Sequence, residues 1–204
     1  MMSDNNVSNK ELIYLEAFRQ FSTKPYEKVT YDTLTEATKL SRGAIIHHSG
    51  GGKKELFASI VNEYIFKRSS ITELSFGNGD SLSSFLDRFI ENSHLEKKKL
   101  KKQGIKNTSL AMLNLCSEAF YYCPIMGERY VEWMSHQLST WEKIIRIAID
   151  KGEIKEDIEI RSIANLFQNV YLGSVYAGSA EKNGCNIDLL EKEFQIIYNF
   201  IKKS

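Results

Sequence analysis

The chain has 204 residues, a formal net charge of +1 and 42% hydrophobic residues. That length can bury one large core or two small ones. The near-neutral balance argues against a protein that coats nucleic acid through bulk charge, while leaving local contact through a few basic residues open.

Only two prolines, Pro25 and Pro124, interrupt the sequence, so long stretches are free to be helical and the expected fold class is all-α. No apolar run approaches the roughly 18–20 residues needed to span a bilayer. Met1 to Asn9 is polar without a signal-peptide core, which predicts a cytoplasmic protein with no membrane partner. Cys116, Cys123 and Cys185 are odd in number and lack metal spacing; Cys116 and Cys123 lie two helical turns apart, too far for a disulfide, so reduced interior thiols are expected. His94 and His136 are isolated, and the adjacent His47 and His48 diverge on a helix. The sequence therefore predicts no metal, no cofactor and, in the absence of a nucleophile–base motif, no enzyme.

In chain order, a first helix is predicted from about Ser8 to Phe21, with Leu12, Ile13, Ala17, Phe18 and Phe21 at helical spacing. Lys24-Pro25-Tyr26 turns the chain, and Val29 places an apolar residue before the cap at Thr30. Thr30 to His48 then reads as two short helices. Thr30 caps the first, in which Leu34 and Ala37 share a face; Ser41 caps the second, Arg42 to about His48. Two short capped helices joined by a tight turn make a helix-turn-helix, although the same pattern occurs in ordinary helical hairpins. In a DNA-binding unit the second helix offers its outward residues to the major groove. Arg42 suits a bidentate guanine contact or a phosphate contact, Gly43 and Ala44 permit close approach, His47 shares their face, and Ile45 points inward.

Those residues resemble the DNA-binding domain of the TetR family of transcriptional regulators. The resemblance covers Lys10 to Val61: the first amphipathic helix, the Thr30 cap, the Leu34–Ala37 helix, the Leu40-Ser41-Arg42-Gly43 entry, and His48 followed by a Gly-rich link into Lys53-Lys54-Glu55-Leu56-Phe57. It implies a DNA-facing set of Thr30, Tyr31, Ser41, Arg42, Gly43, Ala44, His47, His48 and Lys53. The chain departs from the family pattern at four points. Lys39 stands where the family has Gly, Ile46 where it has Tyr, Ser49 where it has an aromatic, and the link Ser49-Gly50-Gly51-Gly52 is one residue longer. Lys39 in a left-handed turn would cost up to about 1–2 kcal/mol. Losing the Tyr hydroxyl removes a phosphate contact, and the glycine link is expected to loosen the anchoring of the second helix.

A fourth helix starts near Lys53 and runs through Ile65, with Lys53 in reach of a phosphate. Ser75 to Ser81 reads as a loop and marks the boundary, so the expected domains are 1–52 for DNA binding, 53–74 as a linking helix, and 75–204 as a larger helical ligand-binding and dimerisation domain. A helix with Leu82, Phe85, Leu86, Phe89 and Ile90 ends in the Lys-rich run Glu96 to Gly104, expected to be a solvated helix end or loop. Thr108 to Cys123 follows with Leu110, Leu113, Cys116, Ala119 and Phe120 on its apolar face, and a long helix from about Met126 ends at Lys151, with Gly152 as its C-cap. Phe120, Met126, Tyr130, Trp133, Met134, Trp141, Phe167 and Tyr171 combine bulk with polar tips. They are either core or the lining of a pocket of about 300–1,000 Å³ for a small hydrophobic or aromatic effector.

The turn Lys151 to Asp157 and the helix after it are similar to the regulators' C-terminal domain. Small residues at Gly173, Ser174, Ala177, Gly178 and Ala180 allow another helix to come close. The last helix carries Ile187, Leu190, Phe194, Ile197 and Ile201 at steps of three and four. The expected dimer interface is therefore Leu166, Val170, Ser174 and Ala177 with Ile187, Leu190, Phe194, Ile197 and Ile201, closing a four-helix bundle across a homodimer. The expected function is a ligand-responsive transcriptional regulator, a repressor by family habit, that binds a palindromic operator in double-stranded DNA and is released by its effector. The alternative is a helical small-molecule-binding protein or interaction adaptor that has lost operator binding.

Overall fold

The computed structural model describes residues 8–67, 74 and 80–203, and among these the ordered elements are helices. Most of the expected loop Ser75 to Ser81, and the end of the expected linking helix, lie outside the described residues. Contacts divide the chain into two units, Met1–Arg68 with Ala111–Glu128, and Ser69–Leu110 with Arg129–Ser204. The units are thus not consecutive in sequence. The expected boundary puts Ala111–Glu128 in the second domain, whereas its contacts lie with the first: Asn114 Nδ2 donates to Ser22 O at 2.9 Å and Tyr122 stacks on Tyr26 at 4.3 Å.

The first unit starts with α1 (Asn9–Thr23), whose N-terminus is closed by a capping box between Ser8 and Glu11. Its apolar stripe, Ile13, Ala17, Phe18 and Phe21, is buried. α2 (Tyr31–Thr38), α3 (Arg42–His48) and α4 (Lys53–Val61) pack around it, and α4 continues as a π-helical segment, Asn62–Lys67. That segment carries Tyr64 onto Phe18, with ring centroids 3.8 Å apart and planes within 2°. Buried Gln20 is held by donating Nε2 to Thr33 O at 3.0 Å, which ties α1 to α2 through a backbone acceptor.

The apolar face of α6 (Thr108–Tyr122) corrects the sequence reading. Ala111, Leu115 and Ala119 are buried, while Leu110, Leu113 and Phe120 are 41%, 37% and 44% exposed. Of the expected face, Ala119 is buried and Cys116 half-buried, so the reading fails for the three large residues alone; small alanines such as Ala111 carry a weak hydropathy signal.

The second unit holds α5 (Leu82–Lys102), most of α7 (Ile125–Asp150), α8 (Ile160–Ser179) and α9 (Ile187–Ile201). Leu82, Phe85, Leu86, Phe89 and Ile90 form the α5 side of its core, against Trp141, Ile144, Ile145, Phe167, Leu190 and Phe194. Most of the Lys-rich run forms the last turns of α5, with Lys98, Lys99, Lys101 and Lys102 exposed, while half-buried Lys97 donates to Cys185 O at 2.7 Å. Gly152 ends α7 with a φ of 71°. Next to it the Glu153 carboxylate accepts from Leu82 N at 2.7 Å and Ser83 N at 3.0 Å, filling orphan donors at the start of α5. Tyr198 OH donates to the same carboxylate at 3.1 Å, so one acid joins α5, α9 and the end of α7.

Candidate nucleic-acid interface

Two caps set the angle of the helix-turn-helix. Thr33 N donates to Thr30 Oγ1 at 3.2 Å while Thr30 N donates back to Thr33 Oγ1 at 3.1 Å, and Ala44 N donates to Ser41 Oγ at 3.2 Å. Between them Lys39 adopts φ 60° and ψ 18°, the left-handed conformation that the family resemblance, with Gly at this position, implies. It is the non-glycine residue with positive φ among the described residues. Leu34 is buried as expected, but Ala37 is exposed, and Thr38 is the second buried residue of α2. Thr38 Oγ1 reaches back to Leu34 O at 2.7 Å and accepts from Leu40 N at 3.3 Å, which lets a polar residue occupy the turn's interior.

α3 is locked inward through Ile45, which is fully buried, and at its end through Ser49, only 1% exposed, whose Oγ donates to Ile46 O at 2.9 Å. A small hydroxyl thus fills the position where the family has an aromatic, and Gly50 and Gly51, at φ 75° and 127°, make the turn into α4. Arg42, Gly43 and His47 are exposed on the opposite face, with Ala44 and His48 half-buried. The Arg42 guanidinium lies over the Tyr31 ring, 5.2 Å from its centre, a cation–π contact that holds it while leaving its N–H donors able to reach an acceptor. A Cβ at Gly43 would meet nothing nearer than Ser41 Oγ at 3.9 Å. No neighbour within the protein demands glycine there.

Lys53 opens α4 with its Nζ 4.1 Å from the centre of the Tyr26 ring. Burial lowers its pKa, opposed by the charge of Glu27. Thr30 and Ser41 are exposed and Tyr31 half-buried; eight of the nine sequence-derived residues lie within the helix-turn-helix or at its caps, and Lys53 opens the helix after it. Sequence reasoning missed Tyr26, Glu27 and Tyr122, because contacts between residues so distant along the chain leave no spacing signal.

The expected ligand cluster is divided. Phe120 and Met126 belong to the first unit and the other six residues to the second. Trp141 and Phe167 are core and not lining: their rings stack at 5.0 Å and 9°, and both meet Phe194 edge-on. Tyr130 and Trp133 lie 5.5 Å apart on α7, Tyr171 meets Phe89 edge-on at 5.2 Å, and the Met134 carbonyl accepts from Gln168 Nε2 at 3.4 Å. A cleft of about 750 Å³ opens elsewhere in this unit. Gly173, Ala177, Asn186, Leu189 and Glu193 are among its walls, and none of the eight expected lining residues borders it.

The dimer assignment also needs correction on α9. Ile187, Leu190, Phe194, Ile197 and Ile201 are buried in the protomer's own core. The outward face is a second stripe, Leu189, Ile196 and Phe200, at 50%, 70% and 71% exposure. Both stripes have helical spacing, and the more complete one is consumed inside the protomer. On α8 the expected residues remain accessible, with Leu166 and Ala177 exposed and Val170 and Ser174 half-buried. The three cysteines are free thiols, and burial pushes Cys116 up to about 11.

A capped helix-turn-helix with an outward basic and small-residue face, on a chain that continues into a larger helical unit, is the fold of the TetR-type transcriptional regulators. The chain is similar in fold over its length to solved structures: 16% identical to the protein of the SmeT–triclosan complex, covering 96% of this chain and 92% of that one at a TM-score of 0.74. It is 17% identical to a TetR family transcriptional regulator from Pseudomonas syringae pv. tomato DC3000, covering 98% and 96% at a TM-score of 0.57. A curated relative, the HTH-type transcriptional repressor AcnR of Corynebacterium glutamicum, is 22% identical over 98% of this chain and 96% of its own length. No protein-family model matches the chain.

Proposed function

We propose that this protein is a ligand-responsive transcriptional repressor that binds a palindromic operator as a homodimer. The observation that carries the reading is the outward face of α3, where Arg42 is braced on Tyr31 and Gly43 is kept free of bulk that nothing inside the protein excludes. The similarity to the repressor AcnR supports the same class. A recognition helix of this kind reads base edges from its N-terminal residues, and a two-fold dimer matches two half-sites about one helical turn apart.

The dimer reading rests on the outward stripe of α9 with Leu166, Gly173 and Ala177 of α8. Burying a side chain such as Ile196 or Phe200 contributes roughly 1.5–3 kcal/mol, and a soluble protein seldom leaves such a stripe uncovered. The effector reading rests on Tyr130, Trp133, Met134 and Tyr171 between α7 and α8, with Gln168 as a buried polar neighbour. One of the solved relatives is a triclosan complex, a precedent for an aromatic ligand. Selection of genomic fragments by the protein, followed by gel shift, tests the central reading. Enrichment of palindromic fragments that shift at low nanomolar to micromolar protein supports it, and no enrichment defeats it.

A further inference from the structure

Four residues of the first unit form one connected chain that ends at the start of α4. Tyr122, at the end of α6, stacks on Tyr26 with centroids 4.3 Å apart and planes 24° from parallel. Its hydroxyl donates to the Glu27 carboxylate at 2.8 Å. Tyr26 in turn carries the Lys53 ammonium 4.1 Å from its ring centre and is braced from below by Phe21 and Phe57, at 5.7 and 5.1 Å. We propose that Tyr122 is a positioning residue for a phosphate contact of Lys53, acting by fixing the Tyr26 ring and by holding the Glu27 carboxylate so that it does not pair with the ammonium. The proposal rests on the DNA-binding reading given above.

The physical argument has two parts. A lysine side chain carries much rotamer entropy, and an ammonium parked over a ring loses part of it before DNA arrives. Its three N–H donors are not consumed by the ring, so those pointing away remain free for a phosphate oxygen. Glu27 is the local threat. It sits next to Tyr26 in sequence and its charge is felt at Lys53, where it partly offsets the effect of burial. A free carboxylate there would compete with phosphate for the same cation. The Tyr122 hydroxyl bonds that carboxylate directly, and the bond is reported from the other side by the phenol, which the neighbouring carboxylate pushes up to about 12.

Tyr122→Phe tests this, because it keeps the ring and deletes only the hydroxyl. Operator affinity should fall by about two- to five-fold, the scale of one exposed ion pair gained in competition. The loss should vanish in a Glu27→Gln background and in a Lys53→Ala background, since each removes one member of the competing pair. A packing role for Tyr122 would not show that dependence. A second measurement needs no DNA: NMR titration of the Lys53 Cε resonance should move to higher pH in Tyr122→Phe, as Glu27 turns toward the ammonium. An unchanged Lys53 titration overturns the proposal, as does an affinity loss that persists without Glu27 or Lys53. Failure of the unmodified protein to bind any operator, with the Lys53 titration shifted as described, would instead place the fault in the DNA-binding reading.

Discussion

Two residues hold backbone positions that ordinary side chains resist, and each yields a measurable consequence. Lys39 sits at φ 60° in the turn between α2 and α3. Replacing it by Gly relieves the steric cost of a Cβ there and gives back some entropy to the unfolded chain. The net expectation is a gain of about 0.5–1 kcal/mol, read as a higher midpoint in urea unfolding with an unchanged slope. Gly178 is the reverse case. A Cβ there would lie 2.3 Å from Cys185 N and 2.5 Å from Cys185 Cα, where the loop before α9 crosses α8. Asn107 holds the same crossing by donating to the carbonyls of Gly178, Ser179 and Glu181 at 3.2, 3.1 and 2.6 Å. Gly178→Ala should therefore cost roughly 1–3 kcal/mol, the range for overpacking a close contact, seen in the same unfolding experiment. The Lys39 conformation was expected only through the resemblance, since the family has Gly in that turn. The Gly178 crossing was not, because its partner is a backbone atom with no sequence signature.

At the level of elements, capping residues and apolar periodicity predict where helices begin and end, and they serve well for α1, α2 and α3. Orientation is harder to read. On α6 the buried face is made by Ala111, Leu115 and Ala119, and the larger Leu113 and Phe120 face out. On α9 two apolar stripes share one helix, and hydropathy alone does not say which faces the protomer's own core. Burial decides it, and the decision changes what mutations do. Phe200→Asp, on the exposed stripe, should leave the protomer folded and shift the protein from dimer to monomer in light scattering at micromolar concentration. Leu190→Asp should instead unfold it, since an unpaired charge in that core costs several kcal/mol. Dimers that persist in Phe200→Asp and in Ile196→Asp would rule out the outward face of α9 as the interface.

For the whole molecule, regulation requires that effector and operator favour different states of the protein. Linkage then makes the coupling reciprocal: an effector that weakens operator binding by some factor must itself bind more weakly by the same factor when operator is present. Trp133 offers the signal. Trp133 and Trp141 are the two tryptophans of the chain, and Trp141 is shut in the core at 1% exposure. In a Trp141→Phe variant, quenching of Trp133 emission by a lipophilic compound should give an effector affinity with and without operator, and the two ratios should agree. The division of the expected aromatic cluster between core and α7–α8 surface could not be read from composition, since bulky residues with polar tips suit both roles.

The central claim is that the outward face of α3 reads DNA, and its most direct test is fluorescence anisotropy of a selected palindromic fragment across a range of salt concentrations. Arg42→Ala should weaken binding by about 1–3 kcal/mol if it contacts a base bidentately. Lys53→Ala should lower the slope of log K against log salt by about one phosphate contact. Unmodified affinity and slope in both variants would contradict the account.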